Sequence, residues 1–133
     1  MKAVNASIPK ALPHRAKVMA CDNSGAKMLR IISVKGAKGV KGRKPSARVG
    51  DLVQASVIKG TPAMRKQVVN AIIVRQKMPY RRPDGTHVCF ESNAAVVIKD
   101  DKGTPKGTTF KGPIAKEAAT RWPRISKVAN IIL

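Results

Sequence analysis

Residues 71–98 read AIIVRQKMPYRRPDGTHVCFESNAAVVI, and the reading of this stretch decides the fold. Ala71 is followed by three β-branched residues, Ile72, Ile73 and Val74. The chain then turns basic through Arg75, Lys77, Arg81 and Arg82. Pro83-Asp84-Gly85 makes a turn, because Pro presets φ and Gly admits the positive φ that a tight turn often uses. An extended segment through Val88 and Phe90 leads to a second aliphatic run, Val96-Val97-Ile98. The physical reading is two buried strands joined by a cationic hairpin tip.

Working outward, the flanking sequence supplies more strands. Lys17 to Cys21 is a short one, and Asp22-Asn23-Ser24-Gly25 is a turn built from turn formers. Lys27 to Val34 reads as the return strand. Asp51 to Lys59 alternates, with Val53, Ala55 and Val57 on one face, and Gly60-Thr61-Pro62 breaks it. Val68 to Val74 follows. After Ile98 come a turn at 99–103 and an irregular Gly/Pro/Thr segment. Ile114 to Thr120 has helical character with Pro113 suited to its first turn, and Trp122-Pro123 ends it. Arg124 to Ala129 suggests a second short helix, and Ile131-Ile132-Leu133 an apolar tail docked on the body. The fold class is therefore mainly β: a small barrel or sandwich of five or six strands with one or two short C-terminal helices. A single domain spans 1–133. Residues 1–15 form an irregular extension, ordered on meeting a partner; 16–105 form the barrel with a basic ribbon at 35–50; and 106–133 form the C-terminal loop and helices.

The charge points to function. Lys and Arg number 27 against seven acids, a formal net charge of +20. Such a chain is matched to a polyanion, with nucleic acid the first candidate. Cys21 and Cys89 make no disulfide framework and read as buried free thiols in a reducing compartment. The sequence has no signal peptide or membrane-length apolar run, so a cytoplasmic location is expected.

Two basic foci stand out. In residues 35–44, KGAKGVKGRK, Lys-Gly recurs at Lys35, Lys38 and Lys41, and Arg43, Lys44 and Arg48 continue the charge. The segment matches neither a phosphate-binding Walker loop nor a dinucleotide fingerprint. Its chemistry is simpler: lysines neutralise phosphates and glycines let the backbone approach them. In an extended three-per-turn conformation the three lysines line one edge. The second focus is Arg81-Arg82, whose guanidiniums suit bidentate phosphate contact. Arg65 and Lys66 add a third basic pair. The bland reading of each is a solvated loop or a soluble sheet edge; the charge of the whole chain favours polyanion contact. Aromatics are only 3% of residues, which favours phosphate and shape recognition over base stacking. His87 and Cys89 lack further metal ligands nearby. Asp100-Asp101 reads as a solvated turn, and Ser24 and Ser92 have no evident base. No cofactor, metal or small-molecule substrate is indicated, and catalysis ranks last among the functions considered.

The spacing of Ala71, the aliphatics Ile72 to Val74, Asp84-Gly85, Phe90, Asn93, Val96 and Val97 resembles the signature of the universal large-subunit ribosomal protein fourteen family. Asp22-Asn23-Ser24-Gly25-Ala26, Val49-Gly50-Asp51, Arg81-Arg82-Pro83-Asp84-Gly85 and Gly112-Pro113 match further family blocks in order. The proline-rich start, Ile32 to Gly36 and Trp122-Pro123-Arg124-Ile125 resemble its archaeal and eukaryotic cytosolic branch. The resemblance implies a five-stranded β-barrel with a basic ribbon and two short helices. It implies binding to large-subunit ribosomal RNA and contact with neighbouring ribosomal proteins. It also implies a bridge to small-subunit ribosomal RNA at the subunit interface, where an anti-association factor uses the same face. On this sequence that face spans about Thr108 to Arg124, with Thr108, Thr109, Lys111, Arg121 and Arg124 as candidate contacts. The RNA candidates are Lys35, Lys38, Lys41, Arg43, Lys44, Arg48, Arg65, Lys66, Arg81 and Arg82. A non-ribosomal small-barrel nucleic-acid-binding protein is the alternative.

Overall fold

A computed structural model describes residues 3–133. In chain order the elements are β1 (Leu12–Pro13), β2 (Lys17–Ala20), β3 (Ala26–Val34), β4 (Ser46–Ala47), β5 (Leu52–Gly60), β6 (Val68–Arg75), β7 (Tyr80–Arg81), β8 (His87–Val88), β9 (Ala94–Ile98), β10 (Pro113–Ile114), α1 (Lys116–Arg121), α2 (Pro123–Ser126) and β11 (Ile131–Ile132). Five of them close a barrel in the order β2-β3-β5-β6-β9. Neighbours are antiparallel except at the closure, where β9 runs parallel to β2. The β3–β5 ladder changes register at three points, and such irregularities bend long strands enough for a narrow barrel to close.

The run Ala71 to Val74 shows no alternation because both of its faces are covered. Ala71 and Ile73 join Val18, Leu29, Val53 and Val97 in the barrel interior. Ile72 and Val74 face outward, where Ile114, Ala118, Trp122 and Ile125 pack over them. All five residues of β9 are buried for the same reason. A lumen this narrow is filled by alanines and β-branched side chains. The four aromatics Tyr80, Phe90, Phe110 and Trp122 all belong to the outer cluster, with Phe90 half-buried at its margin. Trp122 is anchored there by donating from Nε1 to the Gly50 carbonyl at 2.8 Å.

The hairpin of residues 71–98 is two ladders rather than one. β6 and β9 belong to the barrel, whereas β7 and β8 form a separate two-residue ribbon, with Gly85 at φ +92° in its turn. Gln76 makes the break between them. Its amide is fully buried, accepting from Val49 N at 3.2 Å and donating to the carbonyls of Met78 at 3.1 Å and Pro9 at 3.4 Å.

Several expectations need correction. The N-terminal extension has little regular structure but is not loose. Ile8 and Leu12 are buried, Ser7 bridges Arg81, and β1 pairs with β4. Residues 1 and 2 lie outside the described residues. Residues 35–45 are a loop without strand pairing, so the lysines do not line an extended ribbon; a positive φ of 55° at Lys41 turns the chain midway. Helix α1 begins at Lys116, not Ile114, because Pro113–Ile114 pairs in parallel with Ile131–Ile132. α2 ends at Ser126, short of Ala129. The tail pairs through its backbone while Ile131, Ile132 and Leu133 keep their side chains exposed. Cys21 is buried, but Cys89 is exposed, because the short β8 leaves the barrel wall behind it.

Candidate nucleic-acid interface

Lys35, Lys38, Lys41, Arg43 and Lys44 are all exposed on the β3–β4 loop. Lys35 sits 3.2 Å from Asp101 in a solvent-exposed ion pair, which adds little stability. Asp101's neighbour Asp100 shapes the turn, accepting from Lys102 N at 3.0 Å and Thr104 N at 3.3 Å. The Thr104 amide bond is the main reason the Asp100 carboxyl sits below its ordinary range. Arg65 and Lys66 stand exposed on the turn between β5 and β6.

The two arginines of the β7–β8 ribbon have different environments. Arg81 is exposed, and its backbone bridges Ser7 of the N-terminal extension. Arg82 turns inward. Its Nε donates to Glu117 Oε1 at 2.8 Å, and Nη2 donates to the Leu133 carbonyl at 2.6 Å. Glu117, buried on α1, also accepts from the Tyr80 hydroxyl at 2.7 Å. Burial alone would raise the Glu117 carboxyl, but the hydrogen bonds from Arg82 and Tyr80 outweigh it and hold the group below its ordinary value. Burial and the Glu117 bond push the Tyr80 hydroxyl well above its own. This cluster ties the ribbon to α1 and the C-terminal strand, giving Arg82 a structural role.

Arg48 and Arg121 are also half-buried. Arg48 Nη1 donates to the Ile8 carbonyl at 3.3 Å, and its backbone N–H donates to Asp51 Oδ2 at 3.0 Å. Arg121 pairs with Asp51 Oδ1 at 3.3 Å. Lys35, Arg48 and Arg121 therefore converge on one groove. Arg48, Arg81 and Arg82 line a second, about 640 Å³ in volume, so Arg48 stands between the two.

Among the C-terminal candidates, Thr108, Thr109, Lys111 and Arg124 are exposed. Their loop is held by the Asp22-Asn23-Ser24-Gly25 turn, a role that its turn-forming composition did not disclose. Asn23 Oδ1 accepts from Thr108 N at 2.7 Å and Thr109 N at 3.3 Å, and its Nδ2 donates to Thr108 Oγ1 at 2.9 Å. Asp22 is buried, accepting from Val97 N at 3.0 Å and Ser24 Oγ at 2.9 Å; burial raises its carboxyl above the ordinary value.

Sequence reasoning missed Gln76, Glu117 and Asp22 as anchors. Each is a polar residue beside an apolar run, the one signal available for them. Among the described residues no group of three His, Cys, Asp or Glu side chains could hold a metal ion, and no helix is long and apolar enough to cross a membrane.

Comparison with known proteins places this geometry in a family. The family model for ribosomal protein L14p/L23e matches residues 11–133. The chain belongs to the ribosomal protein L14p/L23e family. It is 54% identical over 132 residues to the large ribosomal subunit protein uL14 of Methanococcus vannielii, covering 99% of each chain. It is 55% identical over 122 residues to the uL14 of Sulfurisphaera tokodaii, covering 92% of this chain and 88% of that one. These relatives make it an archaeal-type L14p/L23e protein: a structural ribosomal protein and not an enzyme, with its place on the ribosome in the cytoplasm. Membership sets aside the non-ribosomal regulator.

Proposed function

We propose that this chain binds large-subunit ribosomal RNA through its unpaired cations, and that its C-terminal face contributes to a bridge with small-subunit ribosomal RNA. The observation that carries the reading is a charge imbalance the fold does not resolve. Of 27 Lys and Arg side chains, three form ion pairs among the described residues. Lys38, Lys41, Arg43 and Lys44 project from a loop that contributes nothing to the core. Phosphates neutralise such a loop, and release of their counterions drives binding. Arg81 and Arg48 extend the basic surface along the second groove. Large-subunit membership of the uL14 relatives supplies the RNA and the neighbouring proteins as partners.

For the C-terminal face the support is architectural. Asn23 and Asp22 hold Thr108 to Lys111 as a rigid exposed loop, and Arg124 donates to Thr104 beside it. A pre-formed surface of this kind suits docking against a second subunit or an anti-association factor competing for the same place.

The test is binding of the full chain to large-subunit ribosomal RNA across a salt series. Replacing Lys38, Lys41, Arg43 and Lys44 together with Ala should reduce the log–log salt slope by about 3–4, near 0.9 for each phosphate no longer neutralised. An unchanged slope overturns the loop's role, and a flat response of the unmodified protein overturns the RNA reading. For the bridge, large subunits carrying Lys111→Ala and Arg124→Ala should associate more weakly with small subunits in light scattering. Unaltered association overturns that part.

A further inference from the structure

The first groove, about 660 Å³ in volume, does not look like a plain phosphate track. Its rim carries Lys10, Lys35, Arg48, Lys102 and Arg121, against two carboxylates, Asp51 and Asp101. Both carboxylates already have partners: Asp51 pairs with Arg121 and Asp101 with Lys35. Its other lining is apolar, from Val34, Leu52, Trp122 and Pro123. Trp122 is the only aromatic residue in the lining. Two of the groove's arginines share a further feature. The Nε–H groups of Arg48 and Arg121 are buried without a hydrogen-bond partner among the described residues, as is that of Arg75 elsewhere. A buried donor left unpaired costs about 1–3 kcal/mol, so two at one site call for an acceptor.

We infer that this groove takes a single nucleotide, its phosphate at the lysine and arginine rim and its base against the apolar wall beside Trp122. The inference deepens the RNA-binding reading and rests on it. A bare phosphate would leave the apolar wall unused, and the volume falls within the roughly 300–1,000 Å³ of pockets that enclose a small molecule. An acidic peptide would meet the same cations but has no flat apolar group for the wall. The groove is assembled from the N-terminal extension, both ends of the β3–β5 connection, the turn after β9 and the end of α1, so only the folded chain presents it. A base extruded from a bulge is the RNA element that fits such a concavity. Free nucleotide shares this chemistry.

Trp122 is the only tryptophan in the chain, so its fluorescence reports on the groove directly. The full-length protein is titrated with an RNA hairpin carrying one bulged adenosine, a fully paired hairpin of equal charge, 5′-AMP and a polyglutamate peptide. The bulged hairpin should alter Trp122 emission and bind about tenfold tighter than the paired one, the gain typical of one stacked base. Lys10→Ala with Lys102→Ala, both exposed positions, should abolish that preference while leaving the thermal unfolding midpoint unchanged. A saturable response to 5′-AMP identifies free nucleotide as a competent source, and a response to the bulged hairpin alone identifies RNA; either supports the site. Equal binding of both hairpins without a Trp122 response overturns the nucleotide site and leaves the RNA reading standing. Failure to bind either hairpin overturns both. A polyglutamate response equal to that of the bulged hairpin overturns the site in favour of an acidic protein segment, and so does a preference that survives the double substitution.

Discussion

Replacing Glu117 with Ala separates structural from RNA-facing arginines at the β7–β8 ribbon. The change removes the acceptor for Arg82 Nε at 2.8 Å and for the Tyr80 hydroxyl at 2.7 Å. Arg82 and Glu117 are 18% and 7% exposed, so solvent screens this pair little. Breaking a buried pair by deleting one partner costs about 3–5 kcal/mol. The Leu133 carbonyl still accepts from Arg82, which favours the low end, near ~3 kcal/mol. The stranded Tyr80 hydroxyl adds about 1 kcal/mol. With a urea slope of about 2 kcal/mol/M, the midpoint should fall by roughly 1.5–2 M, read from Trp122 emission. The pH dependence follows from the same geometry. The folded-state value of Glu117 lies below its unfolded 4.5, so its contribution is fully present above 4.5 and is lost as pH falls through the folded value. Arg82→Ala should destabilise comparably, whereas Arg81→Ala should weaken RNA binding and leave the urea midpoint within about 0.5 kcal/mol of the parent. A loss below about 1 kcal/mol for Glu117→Ala would refute the structural assignment of Arg82 and return that arginine to the RNA-facing set.

Three further outcomes are expected. Asp22→Ala leaves Val97 N–H buried without an acceptor and should cost about 1–3 kcal/mol in thermal unfolding. Asp22→Asn keeps an acceptor, and it should also remove a pH effect: with the folded value raised above 3.8, the native carboxyl destabilises increasingly as pH rises from 3.8 through that raised value. Gly103→Ala places a Cβ 2.6 Å from Trp122 Cε3 at a φ of +89°, and should cost at least about 2 kcal/mol with a shift in Trp122 emission. In a thiol-reactivity assay the native protein should titrate one fast group, Cys89. Cys21, buried with its thiol pushed up to about 11, should react only on unfolding.

Much of this protein could be read from its residues alone. The aliphatic runs at 72–74 and 96–98, the Pro83-Asp84-Gly85 turn and the alternation of 52–58 are local signals, and local signals specify strands and turns. A net charge of +20 is a sum over side chains and needs no coordinates. The spacing of Ala71 to Val97 was enough to suggest the family. What lay out of reach were the relations between distant positions. Nothing local distinguishes Arg81 from Arg82; only the packing of α1 beside the ribbon brings Glu117 to one of them. Likewise Pro113–Ile114 left its helix for a strand partner 18 residues away at Ile131–Ile132. The groove joins Lys10, Arg48, Lys102 and Arg121, residues that no sequence window contains together. Sequence by itself determined which segments are extended, which are basic and what kind of partner the charge needs. Tertiary structure alone decided which cations are spent on internal carboxylates and which remain for phosphate, because ion pairing depends on distances that chain closure sets and a linear pattern does not carry.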